Sequence, residues 1–315
     1  MARDVTAVLI THNSRDGIDA TITQLESSLS HLSAEIIAVD NASQDDTVSR
    51  LKRRIRRGRV IDLAKNIGYG PGLNVGLAAA TGRHVLLMND DIRFEPDCVN
   101  GLIKALDSNE NVGLVGPRIV FPDGSQAPAA RPYLPGWQDE YARVIDRVTK
   151  RGLRTNYPVA GGPVDVGLLI AACLMGRTEV LRAIGGFNPS FFFYGEDIDL
   201  CRRLHRNGYR RLLVPEAVAV HHHEMAVDRR YRGREFSTRI LKARDLYYRI
   251  WLSRPSRMLL NVYRAIGPTD QPMRLAFHIP RAMYDGPSVK HLRSLPALAA
   301  VDERTTDREQ LADVS

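Results

Sequence analysis

The stretch HVLLMNDDIRFEP (84–96) decides how this chain is read. Apolar residues run straight into Asn89, Asp90 and Asp91, after which the chain turns polar. A fully apolar run of this length reads as a strand buried on both faces, the kind found in parallel sheets covered by helices. Two adjacent carboxylates at its end repel each other and are costly to desolvate. Either they form an exposed turn ahead of a helix, or a positive group belongs beside them.

The same alternation repeats on either side of that stretch. TAVLIT (6–11), EIIAVD (35–40), RVIDL (59–63) and VLLMN (85–89) read as four strands. A polar amphipathic segment reaching about His31 suits the first intervening helix. The second is predicted to be capped by Ser43, with Asp45 and Asp46 in its first turn and the basic run at its far end, as the helix dipole favours. PGLNVGLAAATG (71–82) reads as a small-residue helix stopped by Gly82. Strands alternating with helices predict an α/β protein with a mostly parallel, doubly wound central sheet flanked by helices.

Downstream, PDCVNGLIKAL (96–106) predicts a helix, GLVGPRIVF (113–121) a strand and PDG (122–124) a turn. Residues 127–163 form a long loop rich in Pro, Arg and Gly, with one helix expected around 139–147; loops this long are usually functional. VDVGLLIAACLMG (164–176) returns to regular structure, followed by a helix near 177–184. GEDIDLCRRLHRNG (195–208) reads as a helix ended by Gly208, and RLLVPEAVAVHHH (211–223) as a strand. Three units are expected: residues 1–225, an arginine- and tyrosine-rich helical region over 226–296, and a polar, disordered tail over 297–315.

With 315 residues, 44% hydrophobic and 25% charged, the composition is that of an ordinary globular enzyme. The formal charge of +8 is concentrated at LKRRIRRGR (51–59) and between Arg202 and Arg293. Such runs suit nucleic acid, anionic lipid or phosphorylated ligands, or they are solvated helix faces. No nucleic-acid-binding motif accompanies them, so no nucleic-acid partner is expected. Cys98, Cys173 and Cys201 are odd in number and far apart, which points to reduced thiols in a cytoplasmic protein. No signal-peptide pattern opens the chain and no apolar run approaches a membrane span.

In open parallel sheets, ligands bind at the carboxyl ends of the strands. Polar groups end four strands in succession here: Thr11–His12–Asn13, Asp40–Asn41, Asn66, and Asn89–Asp90–Asp91. That repetition marks a site for a polar ligand. The glycines of GYGPG (68–72) follow the third strand and not the first, and no GxxxxGK[ST] occurs, so dinucleotide and P-loop chemistry are both disfavoured. Asp90 and Asp91 suit a hard divalent cation, Mg²⁺ or Mn²⁺, bridging the protein to a diphosphate.

FFFYGEDIDLCRR (191–203) sets Glu196, Asp197 and Asp199 just after an aromatic run. Apolar surroundings raise a carboxyl pKa and make it a useful base, and aromatic faces stack on sugar rings. The same acids also suit the start of a helix. In HHHEM (221–225), alternation puts His221 and His223 on one face. Either a histidine there completes the shell of the cation, or the run is a basic surface feature.

With those residues assembled, the chain resembles the inverting glycosyltransferases of family two, which have the GT-A fold, over roughly residues 4–225. The resemblance rests on VLITHNS, IIAVDNASQDDT, KNIGYGPGLNVGL, LLMNDDI and FFFYGEDIDLCRR in that order. Within the family it is most similar to rhamnosyltransferase-like members. It implies a nucleotide pocket of Thr11, Asn13, Asp40, Asn66, Gly68, Asn89 and Asp90, with Asp40 accepting from a pyrimidine base. It also implies Asp91 and His221 as ligands of Mg²⁺ or Mn²⁺, Asp197 as general base, and Glu196, Tyr194 and Asp199 as substrate-binding groups.

The donor so implied is a dTDP- or UDP-linked sugar, and the acceptor a saccharide, lipid-linked glycan or natural product. Peripheral contact with the inner face of the plasma membrane follows from relatives that act on lipid-linked saccharides. Homo-oligomers also fit this family reading. The rival readings are a nucleotidyltransferase, whose glycine-rich basic first turn is missing, and a non-catalytic carbohydrate-binding homologue, which has no need of both Asp91 and Asp197.

Overall fold

The computed structural model describes residues 3–136, 161–222 and 234–266. The helix expected around 139–147, His223 and the tail over 297–315 lie outside the described residues.

The first half is built as its alternation predicts. Strands β1 (Arg3–Thr11), β2 (Ala34–Asp40), β3 (Gly58–Asp62) and β4 (Gly82–Asn89) run parallel in the order β3-β2-β1-β4. Helices α1 (Ile18–Ser28), α2 (Thr47–Arg54) and α3 (Tyr69–Ala79) connect them. The apolar residues of β1 and β4 are almost wholly buried because helices cover both sheet faces. The registers set Thr11 beside Asp40 and Ile10 beside Asn89, so three of the polar strand ends share one edge.

Helix α3 lies unusually close to that edge. A Cβ on Gly76 would sit 2.2 Å from Val8 Cγ1, and one on Gly72 would sit 2.3 Å from Ile10 Cδ1. Its small residues therefore set the distance between helix and sheet. The arginines of α2 serve the fold too: Arg50 and Arg54 both pair with Asp19 of α1, at 2.7 and 3.0 Å.

The second half departs from a purely parallel sheet. After β5 (Ile92–Phe94), α4 (Cys98–Asp107) and β6 (Val112–Val120) come three short strands, β7 (Ala130–Arg131), β8 (Val164–Asp165) and β9 (Leu168–Leu169). Strand β10 (Cys173–Arg177) then enters antiparallel between β4 and β6. The apolar run 164–176 is thus broken three ways, at Gly167 and around Ile170–Ala172. Helices α5 (Thr178–Ala183) and α6 (Glu196–Arg206) precede β11 (Arg210–His221), which lies between β6 and β5. Because β10 runs backwards, the residues just before it meet the same edge as Asn89.

Helices α7 (Arg234–Trp251) and α8 (Arg254–Ile266) follow. Phe191, Tyr247, Tyr248, Trp251, Leu252 and Leu260 make a second apolar cluster, joined to the main core through Ile198 of α6. Each large side chain buried there contributes about 1.5–3 kcal/mol. On the opposite face of α8, Met258, Leu259 and Val262 remain 71%, 51% and 46% exposed. Among the described residues no helix is long and apolar enough to cross a membrane.

Candidate functional site

The loop after β1 is clasped to the loop after β2. Asn13 adopts φ +56°, its N–H donates to Ser43 Oγ at 2.7 Å, and its Oδ1 accepts from the Gln44 N–H at 2.8 Å. The frame beneath is Asp40, which is fully buried. Its carboxylate accepts from Thr11 Oγ1 at 2.8 Å, Ser43 N at 2.7 Å and Ser43 Oγ at 2.6 Å. Thr11 and Asp40 therefore hold the pocket loops, and a base bonded to Asp40 must displace a donor or open this clasp. Ser43 is not the cap of α2 that the sequence suggested. Its hydroxyl is drawn inward by Asp40, and Asp45 Oδ1 accepts from the Thr47 N–H at 3.0 Å instead.

Asn41 carries the clasp on to the next loop, accepting from Ile67 N at 2.9 Å and donating to Gly68 O at 3.1 Å. Asn66 is exposed and accepts from Gly68 N at 3.0 Å in a local turn. Gly68 itself has φ +100°, and a Cβ there would meet Phe192 O at 2.5 Å, so only glycine fits. The 66–69 loop is thereby pinned to the aromatic segment 191–194.

The two aspartates after β4 part company. Asp90 turns inward: its carboxylate accepts from Ser14 Oγ, and its C=O accepts from Thr21 Oγ1 at 2.7 Å. Burial, with the like charge of Asp91 beside it, pushes the Asp90 carboxyl up to about 7. Asp91 turns the other way, its Oδ1 lying 3.1 Å from His221 Nε2. The strand pairing of His221 with Ile92 across β11 and β5 sets that approach and selects the first histidine of the run.

Asp91 Oδ1 is buried and makes no hydrogen bond of regular geometry. Two ligands at right angles on an octahedral ion with bonds of 2.0–2.1 Å stand roughly 3 Å apart. Asp91 and His221 therefore fit the protein's half of a divalent-cation site. Among the described residues no group of three or more metal-ligating side chains converges. Such an ion would complete its shell with water and ligand oxygens, as magnesium commonly does.

The second acidic centre opens α6. Tyr194 (φ +69°) and Gly195 (φ +84°) turn the chain sharply, presenting Glu196 and Asp197 at the helix start. Glu196 is 5% exposed and its Oε2 has no hydrogen-bond partner. Burial, then the charge of Asp197, pushes its carboxyl up to about 8. Asp197 is also raised by burial, opposed by backbone N–H groups of Ile198 and Ala171 and by the charge of Arg131. Its Oδ1 accepts from the Ile198 N–H at 2.8 Å.

Asp199 is a correction. Expected to touch the sugar, it is 1% exposed and lies in the interior. Arg203 Nε donates to it at 2.7 Å and Trp251 Nε1 at 2.8 Å, so it ties α6 to α7. Asp197 and Asp199, two residues apart, point to opposite sides of the helix, about 200° apart.

Between the two centres stands Tyr69, which the sequence reading passed over. Its hydroxyl lies 2.6 Å from Asn89 Oδ1 and 2.5 Å from Ala171 O, and its N–H donates to Phe192 O at 2.8 Å. Ser14 was missed as well. The only signal for either was its place inside VLITHNS and NIGYG.

Comparison with known proteins identifies the family and the fold. The family model for Glycosyl transferase family 2 matches residues 6–164. A Mycobacterium tuberculosis protein, N-acetylglucosaminyl-diphospho-decaprenol L-rhamnosyltransferase, is 27% identical over 215 residues, covering 59% of this chain and 66% of the relative. The pre-mycofactocin glycosyltransferase of the same organism is 27% identical over 226 residues, covering 70% and 43%. This chain thus spans less than two thirds of each. Among solved structures, GalNAc-T7 with UDP, GalNAc and Mn²⁺ aligns with a TM-score of 0.57 at 14% identity, covering 80% of this chain and 49% of that one. The mannosyltransferase PcManGT from Pyrobaculum calidifontis, with GDP-Man and Mn²⁺, gives 0.50 at 17% identity, covering 84% and 81%. These two likenesses establish the GT-A fold. With the family model spanning half of its length, the chain belongs to glycosyltransferase family 2.

Proposed function

We propose that the chain is a metal-assisted inverting glycosyltransferase. It moves a hexose, L-rhamnose first among the candidates, from a dTDP- or UDP-linked donor to a hydroxyl of a saccharide, lipid-linked glycan or natural product. One observation carries this reading: the Asp91–His221 pair and the Glu196–Asp197 pair flank Tyr69, whose hydroxyl meets Asn89 on one side and Ala171 on the other. The catalytic unit is residues 1–225, against which α7 packs through Trp251 and Asp199.

Asp197 takes the proton of the acceptor hydroxyl. That oxygen bonds to the anomeric carbon as the bond from this carbon to the diphosphate oxygen breaks, its electron pair leaving with the nucleoside diphosphate. Attack from the opposite face inverts the anomeric centre, through a transition state with the oxocarbenium character of glycoside hydrolysis. Glu196, with its carboxyl pushed up to about 8, is protonated near neutrality and donates a hydrogen bond without competing for the acceptor proton. A divalent ion held by Asp91 and His221 would neutralise charge gathering on the departing diphosphate. The loops clasped by Asn13, Asn66 and Gly68 hold the nucleotide.

The name of the mycobacterial relative supports L-rhamnose and a lipid-borne acceptor. The exposed apolar face of α8 supports peripheral contact with a bilayer surface. Protein failing to float with anionic liposomes would remove that part of the reading.

The test is thermal stabilisation by nucleoside diphosphates and their sugars, with and without Mn²⁺, followed by product analysis. A ligand at 100 times its Kd adds about 2.7 kcal/mol. Metal-dependent stabilisation by dTDP or UDP, with an inverted glycoside as product, is expected. Pyrophosphate release from a nucleoside triphosphate would instead make the chain a nucleotidyltransferase.

A further inference from the structure

We infer that Tyr69 is a positioning residue that fixes the base-bearing segment against the cation-side loop. The inference rests on the proposed transfer reaction for its role, but not for its geometry.

A phenol has one proton, yet the Tyr69 hydroxyl stands 2.6 Å from an amide oxygen and 2.5 Å from a carbonyl oxygen. It cannot donate to both. Turning the Asn89 amide by half a turn exchanges its oxygen and nitrogen at unchanged positions. The chain of bonds is then consistent: Asn89 Nδ2–H donates to the Tyr69 oxygen, and the Tyr69 O–H donates to Ala171 C=O. One peptide unit earlier, the N–H of the same residue stabilises the Asp197 carboxylate. Asn89 adjoins Asp90 and Asp91, so one phenol spans both acidic centres.

The surroundings keep Tyr69 in this role. Burial, reinforced by the charges of Glu196 and Asp197, holds its hydroxyl well above the ordinary phenol range, so it stays protonated and can donate. Its ring meets Phe193 edge to face at 6.2 Å, and its backbone N–H is tied to Phe192 O. Phenylalanine at 69 keeps the ring and its packing while removing the one oxygen that joins the two sides.

Among the described residues the charged and titratable groups facing Asp197 are Glu196 and Cys201 of its own helix, Arg131 of β7, and Tyr69 of α3. Of these, Tyr69 acts through a backbone donor and not by its charge. Loosening that donor destabilises the ionised form of Asp197, so the carboxyl titrates at higher pH.

The experiment compares wild type with Tyr69→Phe in two readouts. In turnover, kcat falls about tenfold, the kinetic equivalent of one hydrogen bond, and the acidic limb of the kcat–pH profile moves to higher pH. KM for the donor and the affinity for UDP with Mn²⁺ stay within about twofold. In thermal melting, which needs no turnover, the deficit of Tyr69→Phe is larger at pH 8 than at pH 5. In an Asp197→Asn background that pH difference disappears. A deficit independent of pH in both backgrounds, or an unshifted acidic limb, overturns the inference. If wild type transfers no sugar, the function proposed above fails while the melting comparison still decides the role of Tyr69.

Discussion

Replacing Asp199 by asparagine separates a structural role from a sugar-binding one. The side chain is 1% exposed and receives two donors, Arg203 Nε at 2.7 Å and Trp251 Nε1 at 2.8 Å. Asparagine has the same shape but one acceptor oxygen, so one donor must face its NH₂ group. Arg203, 2% exposed, then keeps a buried guanidinium with no counter-charge among the described residues, where its other hydrogen bond is to Ile184 O at 2.8 Å. Removing one partner of a buried pair costs about 3–5 kcal/mol. At 2–4 °C per kcal/mol for domains of this general size, the melting temperature should fall roughly 10 °C. Circular dichroism melts measure that, and donor KM is read on the folded protein well below the transition. KM should stay within about twofold. Adding Arg203→Met should recover part of the loss, because the orphaned charge goes with it. A melting shift under about 2 °C with KM raised tenfold would return Asp199 to the sugar pocket and refute the assignment.

Three further outcomes are expected. Asp197→Asn should lower turnover about 10²–10⁴-fold while UDP still stabilises the protein, and retained turnover would remove it as the base. Asp91→Asn or His221→Ala should abolish the Mn²⁺-dependent part of nucleotide stabilisation and leave the metal-free melt nearly unchanged; Mn²⁺ acting equally on both variants would move the cation elsewhere. Glu196 has a folded-state pKa raised above its unfolded value, so the stability it contributes is complete below about 4.5 and is lost as pH rises through about 8. Melting temperature should therefore decline over that window, and less steeply in Glu196→Gln; parallel curves would show that its carboxyl is not raised.

The parallel half of the sheet could be read directly because each of its strands is an apolar run bounded by polar turns, a pattern with one physical solution. The run 164–176 could not. Periodicity records that its residues are buried, but not that Gly167 and the 170–172 turn break it, nor that β10 runs backwards. At the site, Asp91 and His221 stood out as charged or titratable groups at strand ends, and Asp197 as a carboxylate beside an aromatic run. Asp199 looked the same in sequence, and only the arrival of Trp251 from α7 shows that it faces inward. Tyr69 was invisible for the converse reason: a tyrosine at the head of a helix is unremarkable until Asn89 and Ala171 meet its hydroxyl.

The approach of His221 to Asp91 has a consequence for biosynthesis. The two residues are far apart in the sequence and meet only because β11 lies beside β5. As the chain leaves the ribosome, Asp91 emerges about 130 residues before its partner, roughly ten seconds at ordinary elongation rates. Throughout that interval the nascent protein holds only one of the two residues proposed to bind the cation. At the proposed cation site, uptake would wait for closure of β11, and a chain stalled before that strand should remain metal-free however well its first half had folded.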